Sequence, residues 1–364
     1  MNNKWWVAVV ILVVIGVGIY YWQKTPLSSG ENIKIGAVLS LTGDASVDAL
    51  NMQRGIELAR GDLAAKGIVV DIQYQDDKTD PKQTVSAAQY LASTYQPQAL
   101  LGPVWSFLAD AIAPTIASQK IVTLSPAVTT EFVSARSPYL FLGGMKNELT
   151  RPILADWLKQ HKVMRVAMVT DTSAWSQSLA KPFREAVKDA GAQMVLDEDV
   201  SLQADASTIA SVWLKAKAAK ADLVLRTGGA SAETAYFVQK RAELNLPVPV
   251  ISASASLYRD LLSRGSISAD SLKDIYAIDA QLSPDFVAKF KAKYNQEPGN
   301  YADRGYDSLM IVVEAIRNAP SKDADALSQY LHTALHYQGY AGTYEFGEDG
   351  GVKGGVWMIQ PIIK

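Results

Sequence analysis

From residue 33 the sequence alternates short apolar runs with longer stretches of helical periodicity. A strand that is apolar on both faces must be covered on both, and helices crossing over between neighbouring strands supply that cover. The rhythm therefore predicts an α/β fold with a parallel sheet. Strands are expected over Ile33–Leu41, Ile68–Tyr74, Ala99–Val104 and Ile121–Leu124, with helices over Met52–Lys66 and Pro81–Thr94. Asp80-Pro81 opens the second of these helices, the aspartate as cap and the proline at the first helical position.

After Tyr139–Leu142 the pattern starts afresh. Helical stretches at Arg151–Gln160, Ser176–Ala190, Thr208–Ala219 and Ala232–Leu244 alternate with strands at Val163–Val169, Ala192–Leu196, Leu223–Leu225, Pro249–Ala253 and Ile275–Ala280. A chain of 364 residues exceeds what one core holds, since single cores stop growing at roughly 250 to 300 residues, so a second open sheet is expected. Three further helical stretches, Pro284–Tyr294, Tyr301–Asn318 and Asp323–Leu335, are too many for that sheet alone and are assigned back to the first lobe. The tail, with Tyr344–Phe346, a turn over Gly347–Gly351 and then Gly355–Ile363, has the pattern of a hairpin. The expected organisation is two doubly wound open-sheet lobes, residues 33–146 with 280–342 and residues 147–279 with 343–364.

The first residues bear on address. Lys4 is followed by an uncharged run over Trp5–Trp22, with Trp5-Trp6 at one end and Tyr20-Tyr21-Trp22 at the other. As a helix this run would be about 27 Å long, near the roughly 30 Å of a bilayer core, and its terminal aromatics suit the two interfaces. A transmembrane anchor or signal segment is expected over residues 1–24, followed by a linker over 25–32. The rest of the chain would then lie on the periplasmic or extracellular side of the cytoplasmic membrane, anchored or released by cleavage.

Several function classes are excluded. The 35 basic and 37 acidic residues are dispersed, which leaves no basic footprint for nucleic acid. There is no cysteine, so disulfides, thiolate catalysis and cysteine-held metals are ruled out. His332 and His336 stand four apart, a spacing that suits zinc, but no carboxylate-rich surroundings accompany them and surface positions are expected. Nucleophile-elbow, P-loop and dinucleotide fingerprints are all missing. Neither enzyme activity nor a cofactor or metal is expected.

Two turns carry the remaining chemistry: Leu101-Gly102-Pro103-Val104-Trp105-Ser106 and Leu124-Ser125-Pro126-Ala127-Val128-Thr129. Each ends an apolar strand and presents a hydroxyl residue just before a helical pattern, where helix amides and a small oxygen donor grip an anion such as a carboxylate together. Ser and Thr are also the preferred helix N-caps, so capping alone accounts for either one singly. In open parallel sheets ligands sit outside the carboxyl ends of strands, where both turns lie. Trp105 either stacks on a ligand or packs in the core.

The order of these features carries a resemblance. The opening Ile33–Gly43 with Arg54-Gly55-Ile56-Glu57-Leu58-Ala59, then Asp76-Asp77 with Asp80-Pro81, then the two turns, resembles the leucine/isoleucine/valine-binding family of type I periplasmic solute-binding proteins over residues 33 to 360. The resemblance implies two lobes joined by three crossovers, a ligand enclosed in the cleft by hinge closure, and delivery to an ABC transporter permease. It also implies that Ser106 and Thr129 hold a ligand carboxylate and that the Ala127 carbonyl, with Thr129, takes part of an ammonium. Trp175 falls where an aromatic residue closes over the ligand.

The second lobe departs from the family pattern. Arg226-Thr227 stand where a tyrosine is expected, and Ser254 stands where a glutamate would pair with the ammonium. Either Asp303 or Glu233 supplies the countercharge, or the ligand has no ammonium and Arg226 meets a second carboxylate. The expected function is an extracytoplasmic solute-binding protein for a carboxylate-bearing ligand; the alternative is a membrane-anchored sensor of the same fold acting through a partner.

Overall fold

A computed structural model of the chain describes residues 32–129, 137–253, 255–280, 282–353 and 357–363. Among them the strands form two six-stranded sheets and one two-stranded ribbon. The first sheet takes β1 (Ile33–Leu39), β2 (Val70–Asp76), β3 (Ala99–Leu101), β4 (Thr123–Ser125) and β5 (Leu140–Met145). The second takes β6 (Arg165–Asp171), β7 (Gln193–Val200), β8 (Leu223–Arg226), β9 (Val250–Ser252) and β10 (Ile275–Ala280). The ribbon pairs β11 (Tyr337–Gln338) with β12 (Thr343–Tyr344), and the sheets are completed by β13 (Gly351–Val352) and β14 (Trp357–Pro361).

The strand orders are β2-β1-β3-β4-β5-β13 and β7-β6-β8-β9-β10-β14, the same doubly wound pattern twice. Within these two sheets every pairing is parallel except β10 with β14. β1 shows why the central strands read as continuous apolar runs: of its residues only Lys34 is exposed, because helices cover both faces. The chain passes from the first sheet to the second after β5, returns after β10, and passes over again between β13 and β14, which makes the expected three crossovers.

The helices Pro284–Tyr294, Ala302–Asn318 and Ala324–Thr333 pack with the first sheet, contributing Phe286, Phe290, Leu309, Ile316 and Leu331 to its core. The helices Ser46–Ala65 and Ala302–Asn318 run at close range. A Cβ at Gly55 would lie 1.8 Å from the Ala302 carbonyl, and one at Gly305 would lie 2.3 Å from that of Met52. The start of the later helix is thereby pinned beside the Met52–Gly55 stretch of the earlier one.

The tail departs from the expected hairpin. The turn closes, with Lys353 donating to the Glu345 carbonyl at 2.8 Å and Phe346 bridging Val352, but its second arm stops there. β13 adds to the first sheet beside β5, and Tyr344, Phe346 and Val352 are buried in the first core. Only β14 joins the second sheet, where the edge of β10 offers five antiparallel partners. The second-lobe share of the tail thus begins near residue 357, not at 343. The expected membrane segment Trp5–Trp22 and the linker before residue 32 lie outside the described residues. Among the described residues no helix is long and apolar enough to cross a membrane.

Candidate ligand-binding cleft

At the carboxyl edge of the first sheet, the two hydroxyl-bearing turns are built as one unit. Gly102 donates its amide to the Leu124 carbonyl at 3.0 Å, and Ser125 donates its hydroxyl to the Pro103 carbonyl at 2.6 Å. Gly102 has a φ of +99°, and a Cβ there would sit 1.9 Å from the Val38 carbonyl, so no other residue fits. Ser106 is the first residue of the helix Ser106–Gln119, and the cap position falls on extended Trp105 with no side chain capping the amides. The capping role open to Ser106 is therefore not taken up, and helix amides and hydroxyl stay together at the sheet edge.

Thr129 is 6% exposed, and its Oγ1 is enclosed without a hydrogen-bond partner among the described residues. A buried hydroxyl left in that state costs about 1–3 kcal/mol, which a ligand oxygen would recover. The segment Ala127–Thr129 rests against β5, where Gly144 donates its amide to the Val128 carbonyl at 3.1 Å. A Cβ at Gly144 would lie 2.5 Å from Thr129 Cγ2 and 2.8 Å from the Ala127 carbonyl, so the bare backbone of Gly144 lets that segment lie where it does. The helix expected after Thr129 falls outside the described residues.

Trp105 is half-buried against the first core, with its ring edge toward Phe107 at 6.0 Å. Its Nε1 donates to Asp48 Oδ2 across 3.4 Å. Asp48 stands in the first turn of Ser46–Ala65, half-buried. Burial pushes its carboxyl up to about 6 despite hydrogen bonds from Trp105 and Asn300, and the negative charges of Asp279 and Asp260, both in the second lobe, push the same way. Sequence reasoning passed over Asp48; its one signal is an acid in the first helical turn after the β1 end.

In the second lobe the ends of β6 and β8 meet. Thr227 is fully buried, its hydroxyl shared with Ser176 at 2.6 Å, and the Ser176 hydroxyl in turn accepts the Asp171 amide at 3.1 Å. Trp175 follows in the first turn of Ala174–Asp189, half-buried, behind the cap residue Ser173. That helix touches Ser106–Gln119 of the first lobe.

Arg226 differs from expectation. It is 2% exposed, with Nη1 donating to Tyr258 Oη at 2.9 Å and Nη2 donating both to Thr234 Oγ1 at 2.9 Å and to Glu233. Its guanidinium lies over the Phe237 ring at 4.8 Å. Burial opposes its charge, yet Glu233 and Tyr258 hold it above the ordinary arginine value. Arg226 is thereby engaged inside the second lobe by Tyr258, Thr234 and Glu233 Oε2, while Glu233 Oε1 is buried without a hydrogen-bond partner among the described residues. The sequence placed the arginine correctly at the strand end; the partner seven residues on, in the first turn of Ser231–Glu243, was the missed signal.

Asp303 is 3% exposed at the start of Ala302–Asn318, where Oδ1 accepts the amide of Arg304 at 2.8 Å. Burial holds its carboxyl above the usual range, with Arg304 pulling it back down. Ser254 lies outside the described residues. The two histidines diverge, His332 bonding the Gly347 carbonyl and His336 pairing with Glu345, and no metal-ligating group of three forms among the described residues.

Two doubly wound lobes joined by three crossovers define a two-lobed α/β fold of the kind that periplasmic binding proteins have. The chain belongs to the periplasmic binding protein family, whose model matches residues 32–362. It is 24% identical over 344 residues to Leu/Ile/Val-binding protein homolog 7 of Brucella abortus, covering 87% of this chain and 85% of that one. A Leu/Ile/Val-binding protein of Rhizobium johnstonii is 24% identical over 334 residues, covering 89% and 90%. Among solved structures, the branched-chain amino acid transporter substrate binding protein of Streptococcus pneumoniae, in complex with isoleucine, matches with a TM-score of 0.77 at 21% identity, covering 88% of this chain and 94% of that one. A solute binding protein of an ABC transporter from Rhodopseudomonas palustris, in complex with 3,4-dihydroxybenzoic acid, matches with a TM-score of 0.76 at 21% identity, covering 92% and 98%.

Proposed function

We propose that this chain captures a small carboxylate-bearing solute, an amino acid or a related organic acid, between its lobes outside the cytoplasmic membrane and delivers it to an ABC permease. The observation that carries this reading is the enclosed, unpartnered hydroxyl of Thr129, on a turn bonded to the one that opens the helix at Ser106. Ser106, Thr129 and the first amides of Ser106–Gln119 grip the carboxylate, and the Ala127 carbonyl takes a donor of the ligand. Trp175 closes over it from the other lobe. Ligand contacts to both lobes favour the closed form, and the permease reads that form.

The isoleucine of the Streptococcus protein and the dihydroxybenzoic acid of the Rhodopseudomonas protein have a carboxylate in common and little else, which supports the carboxylate ahead of any one side chain. A thermal-shift screen of the protein against amino acids, dicarboxylates and aromatic acids tests the proposal. At least one carboxylate is expected to stabilise, by about 2.7 kcal/mol when present at 100 times its dissociation constant. Hits confined to compounds without a carboxylate would sink it.

A further inference from the structure

We infer that the hinge holds a single small anion of halide size, seated against the guanidinium of Arg304 in a cavity separate from the carboxylate grip. The cavity is lined by Gly143 and Met145 of β5, Val352 of β13, Tyr344 of the ribbon, and Arg304 from the first turn of the helix Ala302–Asn318. It has room for one water-sized body. Gly143 and Met145 alternate along β5 with Gly144, the residue that faces Ala127 and Thr129, so the cavity lies on the other side of that strand from the grip. Tyr344 and Val352 belong to the first core and Met145 to a core of the second lobe. The cavity therefore sits where the crossovers after β5 and β13 leave the first sheet.

Of the described residues that line the cavity, Arg304 alone is charged. It is 4% exposed, and its guanidinium lies over the Tyr301 ring at 5.1 Å. Its backbone amide goes to Asp303, but among the described residues none of its guanidinium N–H groups donates to an acceptor. A guanidinium carries five N–H donors, and enclosing them unmet is unfavourable. Burial opposes its charge, while Tyr301, Asp303, Asp279 and Tyr344 hold it above the ordinary arginine value. Those two carboxylates act through space, since neither stands at ion-pair distance from Arg304. Burial holds Asp303 toward its neutral form, and Asp279 has a partner of its own. One turn on along the same helix face, Ser308 is fully buried with a hydroxyl that has no partner among the described residues, so donors are in excess there. A carboxylate or a phosphate is larger than the space beside Arg304. A monatomic anion fits it and meets the guanidinium through charge-assisted hydrogen bonds.

Thermal unfolding at constant ionic strength, with sodium methanesulfonate replaced stepwise by sodium chloride or sodium bromide, tests this. No carboxylate solute is added, so the result stands apart from the function proposed above. The wild type should gain stability along a one-site curve, about 5 °C at 100 times the dissociation constant of the halide. Arg304→Lys keeps a cation and should respond with weaker affinity, whereas Arg304→Met should not respond. In a wild-type crystal soaked in bromide, anomalous scattering should place the ion against the Arg304 guanidinium. Wild-type stability indifferent to the exchange, or the same response in Arg304→Met, would overturn the inference. So would a crystal with only water at the guanidinium, or bromide there at molar concentration alone, which marks an adventitious ion only. Should Arg304→Met fail to fold, the wild-type titration and the bromide crystal decide between these outcomes.

Discussion

The hydroxyl of Ser125 donates to the carbonyl of Pro103 at 2.6 Å, and with that bond the ends of β4 and β3 become one surface. Ser125 is fully buried and faces away from solvent, so it positions the turns without being available to a ligand itself. Removing the donor leaves the Pro103 carbonyl enclosed and unpaired. Ser125→Ala should cost about 1–3 kcal/mol in urea unfolding and also weaken ligand binding. An unchanged dissociation constant would separate the tie from the site.

Arg226 and Glu233 form a buried pair, and a Cβ at Gly229 would run into both partners. Taking away one partner strands the other's charge, so Arg226→Met and Glu233→Gln should each destabilise by about 3–5 kcal/mol, with the double variant losing clearly less than the sum. Chemical denaturation of the three variants checks this. Ligand selectivity should stay as in the wild type in any Arg226→Met protein that still folds, because the guanidinium is already held by Tyr258, Thr234 and Glu233.

Asp307 supplies a pH dependence that the ligand does not enter. It is fully buried in Ala302–Asn318 and accepts the amides of Tyr340 and Ala341 at 2.9 and 2.8 Å. Burial pushes its carboxyl up to about 7 against those two bonds. A folded value above the unfolded one favours the protonated form, so its contribution is complete below the unfolded value near 4 and is lost as pH rises through 7. Stability of the ligand-free protein should fall by about 2–3 kcal/mol between pH 5 and 8 from this group, and Asp307→Asn should flatten most of that slope. Asp48 acts in the same sense, so a residual slope is expected.

The two sheets and the return of the last three helices to the first lobe were legible because each rests on hydrophobic periodicity, which is local and repeated along the chain, whereas the three crossovers followed from the family resemblance. Asp80-Pro81 was legible for the same reason: the Asp80 carboxylate accepts the Gln83 amide at 2.9 Å, a bond spanning three residues. What failed depends on distant partners. The tail pattern fitted a hairpin because nothing in Trp357–Pro361 says that the edge of β10, about eighty residues earlier, is free to receive it. Arg226 looked available because its strand-end position is visible in sequence and the enclosure by Tyr258, Phe237 and Glu233 is not. Asp48 gave almost no local sign, since its meaning comes from Trp105 and from acids of the other lobe.

The central claim is that Ser106 and Thr129 hold the carboxylate, and the most direct measurement compares ligand-induced stabilisation in the wild type and in Ser106→Ala/Thr129→Val. Valine fills the space of Thr129 without its unpartnered hydroxyl, so the ligand-free melting temperature should hold or rise. The stabilisation given by the best carboxylate from the screen should disappear in this variant. Retention of the wild-type dissociation constant by the double variant would contradict the account.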